Sequence, residues 1–356
     1  MPASYKIKRS FINLSVSNVG KINLNNSTIS LFKKLTISLD KMKPNILHSF
    51  VKVPTWITVI IGLFLLTWQY FQGVLPQNIQ IVFFISLILL TGIPHGALDH
   101  LIQEATDKKL NRVYSVKSFL VKYLTIMVFY ALTWYFFSGL SLLVFLIISA
   151  WHFGETDLEK APKNVLIWSC TRLIYGFYVL SFILLTHLDE VRPIVDRMIE
   201  NQKSIVQFWN FLNLNVKQIL YLLGFSFTTI FIVAQSEFMI QFDKLRIFRL
   251  CLILFISAYL PLLPAFALYF GGWHALCAFD NIHNYLRKDY PTLSFKLVYL
   301  KTLPLTFLAV IFLCGFLGYC HLYTQHFDPF PVLFIFISLI TLPHLIIAHQ
   351  MNHDVK

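Results

Sequence analysis

Uncharged apolar segments close to the length of a membrane span recur along most of this chain. The 356 residues are 57% hydrophobic, 16% aromatic and only 13% charged, whereas ordinary globular domains carry about a quarter charged residues. A helix needs about 20 apolar residues to cross a bilayer, while the strands of a transmembrane barrel would alternate apolar and polar residues over short segments. The pattern therefore predicts an all-α, polytopic helical membrane protein.

Polar and proline-containing breaks divide these segments into about ten predicted transmembrane helices. Residues 250–286 are apolar for longer than one crossing needs, and Pro261 and Pro264 interrupt them, so they are predicted to form two spans that turn near the prolines. The count is nine if the prolines only kink one helix. An amphipathic surface helix is predicted over 195–211. The other predicted spans are 55–71, 79–98, 119–137, 140–153, 165–185, 216–234, 298–317 and 331–348.

The positive charge is concentrated ahead of the first span. Residues 1–52 contain nine Lys and Arg against one acidic residue. A basic segment can bind nucleic acid, but retention of the N-terminus in the cytoplasm is the simpler interpretation, because the predicted inner loops are also richer in Lys and Arg than the outer ones. We therefore predict a basic polar extension (1–52), a single transmembrane domain (53–350) and a cytoplasmic tail (351–356), in the inner or plasma membrane, with both termini cytoplasmic and no nucleic-acid partner.

The second predicted span ends in unusually polar chemistry, Gly92-Ile93-Pro94-His95-Gly96-Ala97-Leu98-Asp99-His100. Ionisable groups inside a bilayer are functional candidates. The alternative is an ordinary helix end, since Gly and Pro are frequent in transmembrane helices. The five cysteines show no paired spacing, so neither a disulfide framework nor a zinc motif is predicted.

The predicted topology brings four histidines from separate spans to a similar depth: His95, His152, His274 and His344. Isolated histidines can simply bond across helices, but such bonds would not need to share a depth, so a common site is favoured. Neutral imidazole suits zinc, copper, iron or nickel, and use of O2 would select iron or copper.

Carboxylates follow two of these histidines closely. Asp99 lies four residues after His95 and therefore on the same helical face, where it could orient a ligand or bind metal. Glu155 and Asp157 follow His152. For these two, facing the cytoplasm is at least as good an interpretation as orienting a ligand or binding metal. His100 would point about 140° away from His95 on an ideal helix, which makes it a weaker ligand.

These motifs resemble those of the Brp/Blh family of bacterial and archaeal β-carotene 15,15'-dioxygenases, which make retinal for microbial rhodopsins. The matching segments are Gly92 to Asp99, His152-Phe153-Gly154, Tyr269 to His274, and Pro343-His344, in the family's order. The resemblance covers about residues 55–350. It implies an Fe(2+)-dependent cleavage of the central double bond of β-carotene by O2 to give two retinal molecules, in the lipid bilayer, with an opsin as the natural recipient.

The resemblance also implies a set of metal ligands. Three family ligands carry over to His95, His152 and His274, whereas the fourth falls on Ala278. His344 is the preferred substitute, followed by Asp99 and His100, with His283 next. The iron could also work with three ligands and water, or the activity could differ.

Aromatic residues flank the candidate ligands and are predicted to line a substrate tunnel, although ordinary packing is the alternative: Trp151, Phe153, Tyr269, Phe270 and Trp273. The clustered histidine boxes of membrane hydroxylases and the motifs of intramembrane proteases are absent from the sequence. The competing function is a histidine-lined transporter, or a metal- or proton-binding membrane bundle without carotenoid-cleaving activity.

Overall fold

The computed structural model describes residues 49–199, 204–238, 240–323 and 327–353. Within these ranges the regular structure is helical and contains no strand, which confirms the all-α prediction. The elements are α1 (Ser49–Gln72), α2 (Gln77–Leu87), the π-turn π1 (Ile88–Gly92), α3 (Ile93–Gly96), α4 (Asp99–Lys109), α5 (Val116–Phe136), α6 (Ser138–Asp157), α7 (Leu166–Thr186), α8 (Leu188–Met198), α9 (Ser204–Phe238), α10 (Lys244–Ser257), α11 (Leu262–Tyr269), the π-turn π2 (Phe270–His274), α12 (Ala275–Asp289), α13 (Phe295–Tyr323) and α14 (Pro329–His353).

Nine helical runs among the described residues are long and apolar enough to cross a membrane, so the protein is a multi-pass membrane protein. The tenth predicted span corresponds to α10, which has 14 residues. That is about 21 Å of helix, against a hydrocarbon core of about 30 Å. The chain does turn at Pro261, as predicted, but the segment before the turn is too short to be a full-length span.

α10 nevertheless runs beside α1 and in the same direction. Near its start, the Phe248 ring lies 6.5 Å from the Trp56 ring. Just after its end, the carbonyl oxygen of Tyr259 accepts a hydrogen bond of 2.7 Å from the Gln69 side chain. The short helix and the turn that follows it therefore carry the chain along most of the length of α1.

The surface helix predicted over 195–211 is wrong in its bounds. α8 ends at Met198, and Ser204 already begins the 35-residue α9. The asparagines early in α9 do not end the helix, because Asn is only a moderately poor helix former. Asn215 bonds back to the carbonyl of Phe211 inside the helix, at 2.8 Å.

The predicted ends of the transmembrane domain are only partly within the described residues. Residues 1–48 of the predicted N-terminal extension lie outside them, and α1 already begins at Ser49. At the other end α14 continues to His353, so the first residues of the predicted tail are helical.

The run from α11 through π2 to α12 lies at the centre of the helical domain. The apolar window of this run is 89% buried, compared with 6% for the window on α9. α6 and α7 pack beside it at very close range, because a Cβ atom on Gly154 would collide with the backbone carbonyl of Arg172. This close contact fixes the end of α6 that carries His152.

Candidate metal centre

His95 directly follows a break in the helical hydrogen-bond ladder, which Pro94 causes. Pro94 has no N–H, so it cannot donate to the carbonyl of Leu90 four residues earlier. The Tyr299 hydroxyl donates to that carbonyl instead, at 3.1 Å. The break coincides with π1, and π-turns inside helices recur at functional sites. His95 emerges from it as a buried side chain.

His274 is the last residue of the second π-turn. At Gly272 a Cβ atom would collide with the side chain of Thr58, so the turn needs glycine where α1 approaches it. The Thr58 hydroxyl donates to the carbonyl of Gly272 at 3.0 Å. The turn is thereby held against α1, and the His274 side chain is completely buried.

His344 on α14 is held by a direct hydrogen bond to a carboxylate. Its Nδ1 lies 2.8 Å from Oδ1 of Asp99, and both groups are buried. A carboxylate accepts only from a protonated nitrogen, so Nδ1 carries the hydrogen and Nε2 presents its lone pair. The Tyr123 hydroxyl lies 3.2 Å from the other oxygen of Asp99 and completes this support.

The structure brings the four histidines together in a closed cycle of ring contacts. Centroid distances are 5.7 Å for His95 to His274 and 5.1 Å for His95 to His344. The His152 ring lies 4.8 Å from His274 and 4.7 Å from His344. Potential ligand atoms of His95, His152 and His344 all lie within 4.8 Å of one another, whereas among the described residues His274 is not part of that set. Each ring therefore contacts two others around one centre.

The nitrogen atoms of this cluster fit a metal ion. Nε2 of His152 and Nε2 of His344 are 3.2 Å apart, and two nitrogens that each lie about 2.1 Å from one metal are separated by roughly 3.0–3.4 Å. Nδ1 of His95, Nδ1 of His152 and both ring nitrogens of His274 are buried without a hydrogen-bond partner among the described residues. Buried polar atoms of this kind require an explanation, and a bound metal would account for one nitrogen of each ring. It would not account for Nδ1 of His152, whose Nε2 faces His344, or for the second nitrogen of His274.

The structure does not bring the other two predicted histidines to the cluster. Nδ1 of His100 lies 2.7 Å from the carbonyl oxygen of Ala97. Nε2 of His283 lies 3.1 Å from the carbonyl oxygen of Leu293, and its ring packs on Phe295. Within the described residues, neither ring contacts any of the four clustered histidines. Asp99 is placed as the partner of His344, and Ala278 is buried on α12.

An apolar cavity of about 300 Å³ adjoins the cluster. Phe153 and Phe270 line it, together with His95, His152 and His344. Its outer wall includes side chains that are exposed on the helical surface, namely Leu124, Leu308 and Phe312. The cavity therefore borders the surface that faces the lipid.

The remaining predicted tunnel residues lie elsewhere. The ring of Trp151 packs near His349, while Tyr269 and Trp273 both donate to Asp157. Two of the five predicted residues thus line the cavity, and three have other contacts.

The two carboxylates after His152 are buried, so the interpretation that they face the cytoplasm is wrong. Oε1 of Glu155 lies 2.9 Å from Nδ1 of His349. Oδ2 of Asp157 accepts hydrogen bonds from Tyr175 at 2.6 Å and from Tyr269 and Trp273 at 3.1 Å each. The sequence signal for a buried carboxylate here is the pair of aromatic hydrogen-bond donors, Tyr269 and Trp273, on either side of Gly271-Gly272.

Comparisons with known proteins agree on one family. A family model for β-carotene 15,15'-dioxygenase matches residues 86–352, which include all four clustered histidines. The chain is similar to the β-carotene 15,15'-dioxygenase of uncultured marine bacterium 66A03, with 26% identity over 203 residues that cover 57% of this chain and 70% of that protein. No solved structure matches the chain.

Proposed function

The chain belongs to the β-carotene 15,15'-dioxygenase family, and from that premise we propose that it cleaves the central double bond of β-carotene with O2 on a histidine-bound iron. The cluster of His95, His152, His274 and His344 beside an apolar cavity carries this proposal. In the reaction the central C=C bond breaks, and a C=O bond forms at each of its carbons. O2 supplies both oxygen atoms, so two retinal molecules result without a further reductant.

The four imidazoles would hold Fe(2+) as neutral nitrogen ligands. Iron(II), when bound, supplies the capacity to activate O2, and an all-imidazole ligand set suits this metal. His344 replaces the ligand that the family places at the position of Ala278. Asp99 keeps the proton on Nδ1 of His344, so that Nε2 stays available to the metal.

The surroundings of the cluster suit a long apolar substrate. A carotenoid dissolves in the bilayer, and the cavity borders the lipid-facing surface at Leu124, Leu308 and Phe312. A substrate could therefore enter sideways without crossing water. Phe153 and Phe270 would contact the polyene next to the histidines, and the apolar walls would exclude water from the reacting double bond.

The charge distribution supports an orientation with both termini in the cytoplasm. α10 is short, but it and the turn after it run along α1 in the same direction. This supports counting α10 as a tenth pass, and an even number of passes puts both termini on one side. The Lys- and Arg-rich loops then lie on the inner side, in the inner or plasma membrane. Retinal would leave into the bilayer, where an opsin could take it up.

Expression in a β-carotene-producing bacterium tests the proposal. The wild-type protein should remove the orange colour and yield retinal, while His95→Ala at equal membrane abundance should leave the colour unchanged. His100→Ala is the matched control and should behave as wild type. Persistent colour with wild-type protein, combined with bound metal, would instead support a metal-binding bundle without carotenoid-cleaving activity.

A further inference from the structure

We propose that Asp157 is a positioning residue that aims His274 at the metal, acting through Tyr269 and Trp273. The inference rests on the proposed metal site, but its test does not require carotenoid cleavage. Among the described residues, the set of ligand atoms that lie close enough to hold a metal comes from His95, His152 and His344, and includes neither Asp157 nor His274. The bonded oxygen of Asp157 is occupied by donors from aromatic side chains.

His274 needs such support because no group among the described residues forms a hydrogen bond with its ring nitrogens. Aromatic rings pack around it beside His95 and His152: Phe153 lies at a centroid distance of 4.6 Å, Phe270 at 5.8 Å and Tyr269 at 6.4 Å. Packing limits how far an imidazole ring can tilt. Unlike a hydrogen bond, it does not fix the direction in which the ring nitrogens point. The direction of His274 therefore depends on the backbone of π2.

Asp157 binds both sides of that turn. Tyr269 is the residue immediately before π2, and Trp273 is the residue immediately before His274. Both donate to the same oxygen, Oδ2 of Asp157, at 3.1 Å. One carboxylate oxygen thus ties the entry and the exit of the turn together, while Thr58 holds the carbonyl of Gly272 between them.

The same oxygen also connects the turn to the helix pair that carries His152. Asp157 is the last residue of α6, and the Tyr175 hydroxyl on α7 donates to it at 2.6 Å. The guanidinium of Arg246 lies 5.8 Å from the centre of the Trp273 ring and fixes the indole further. Buried networks of this kind act cooperatively, so a change at Asp157 should alter the relative placement of His274 and His152.

The test uses full-length protein purified in detergent, stripped of metal and titrated with Co(2+). We expect Asp157→Asn to weaken Co(2+) affinity by about 10–100-fold, the range for groups that orient metal ligands. We also expect its Co(2+) absorption spectrum to resemble that of His274→Ala. The double variant Tyr269→Phe/Trp273→Phe should give the same spectrum, which keeps the test valid if Asp157→Asn does not fold.

Two further variants separate positioning from general stability. Tyr130→Phe removes a buried hydroxyl that donates to the carbonyl of Ser141 at 2.9 Å, at the opposite end of α6 from Asp157, and should leave the spectrum and affinity unchanged. Tyr175→Phe removes the shortest bond to Asp157 but leaves both bonds to the π2 region, so its spectrum should stay close to wild type.

Each outcome decides the inference. Unchanged Co(2+) spectrum and affinity in Asp157→Asn or in the aromatic double variant would overturn it, as would a Tyr130→Phe effect as large as theirs. If the wild-type protein binds no Co(2+), the proposed metal site fails together with this inference. If Co(2+) binds normally and only the variants fail to differ, the metal site stands and the positioning role alone is wrong.

Discussion

His344 and His274 contact the same two histidines, but the protein supports them in different ways. His344 has a carboxylate bonded directly to its ring at 2.8 Å. Within the part of the chain that the structure describes, neither nitrogen of His274 has a hydrogen-bond partner, and a carboxylate reaches this histidine through the residues around its π-turn. Direct support fixes the proton on a ligand as well as its direction, whereas indirect support fixes only its direction. The two ligands should therefore respond differently to changes in their carboxylates.

Removing either ring should have the largest effect. His344→Ala and His274→Ala each delete a nitrogen ligand, so we expect a loss of retinal formation beyond the roughly 100-fold limit for groups that only orient ligands. Retinal can be measured by chromatography of membrane extracts at equal protein abundance. His100→Ala is the matched histidine control, because its ring bonds to the carbonyl of Ala97 and should be dispensable. Full activity of His344→Ala would show that His344 is not a metal ligand.

Asp99→Asn should come next and should affect His344 alone. The amide is a weaker acceptor for Nδ1 of His344 and can itself donate to it, so the wrong tautomer becomes accessible. We expect metal affinity or activity to fall by about 10–100-fold, with a Co(2+) spectrum resembling that of His344→Ala. A spectrum like that of His274→Ala would contradict the difference between the two supports.

Tyr123→Phe should have a smaller effect of the same kind. Its hydroxyl lies 3.2 Å from Asp99 and 3.2 Å from the carbonyl oxygen of Ile340. Loss of one such hydrogen bond costs about 1 kcal/mol, which corresponds to about a fivefold weaker metal affinity. Metal titration of the purified variant measures this. An effect larger than that of Asp99→Asn would show that Tyr123 acts in some way other than through Asp99.

Ala278→His should have the smallest effect in the wild-type background. If His344 already completes the ligand set, a histidine restored at the family's position has no vacant place, and metal content should stay unchanged. In the His344→Ala background the same substitution should recover part of the lost metal binding. Metal analysis of the single and double variants decides this, and an increase in the single variant alone would argue that the wild-type set is incomplete.

Hydropathy and motif order predicted the helical membrane fold because span length and apolar composition are local properties. They could not predict that α10 would be a 14-residue helix, since its bounds depend on packing beside α1. The candidate ligands were suggested by depth and by family resemblance, but the Asp99–His344 bond joins residues 245 positions apart. No local pattern reveals such a pairing.

Asp157 shows why the rest of the site was missed. A carboxylate directly after an apolar segment normally lies in water, and no residue near Asp157 in the sequence indicates that it is buried. Its burial depends on three donors from α7 and the π2 region, 18 to 116 positions away. Only the packing of α6 against those elements makes the site for this charge.

X-ray absorption spectroscopy of the iron-loaded protein tests the central claim most directly, because it counts the imidazole ligands of the metal. We predict one iron per chain with four histidine nitrogens, from His95, His152, His274 and His344, and a reduction to three in His344→Ala. Three or fewer imidazoles in the wild-type protein, or a count that His344→Ala leaves unchanged, would contradict the four-histidine centre.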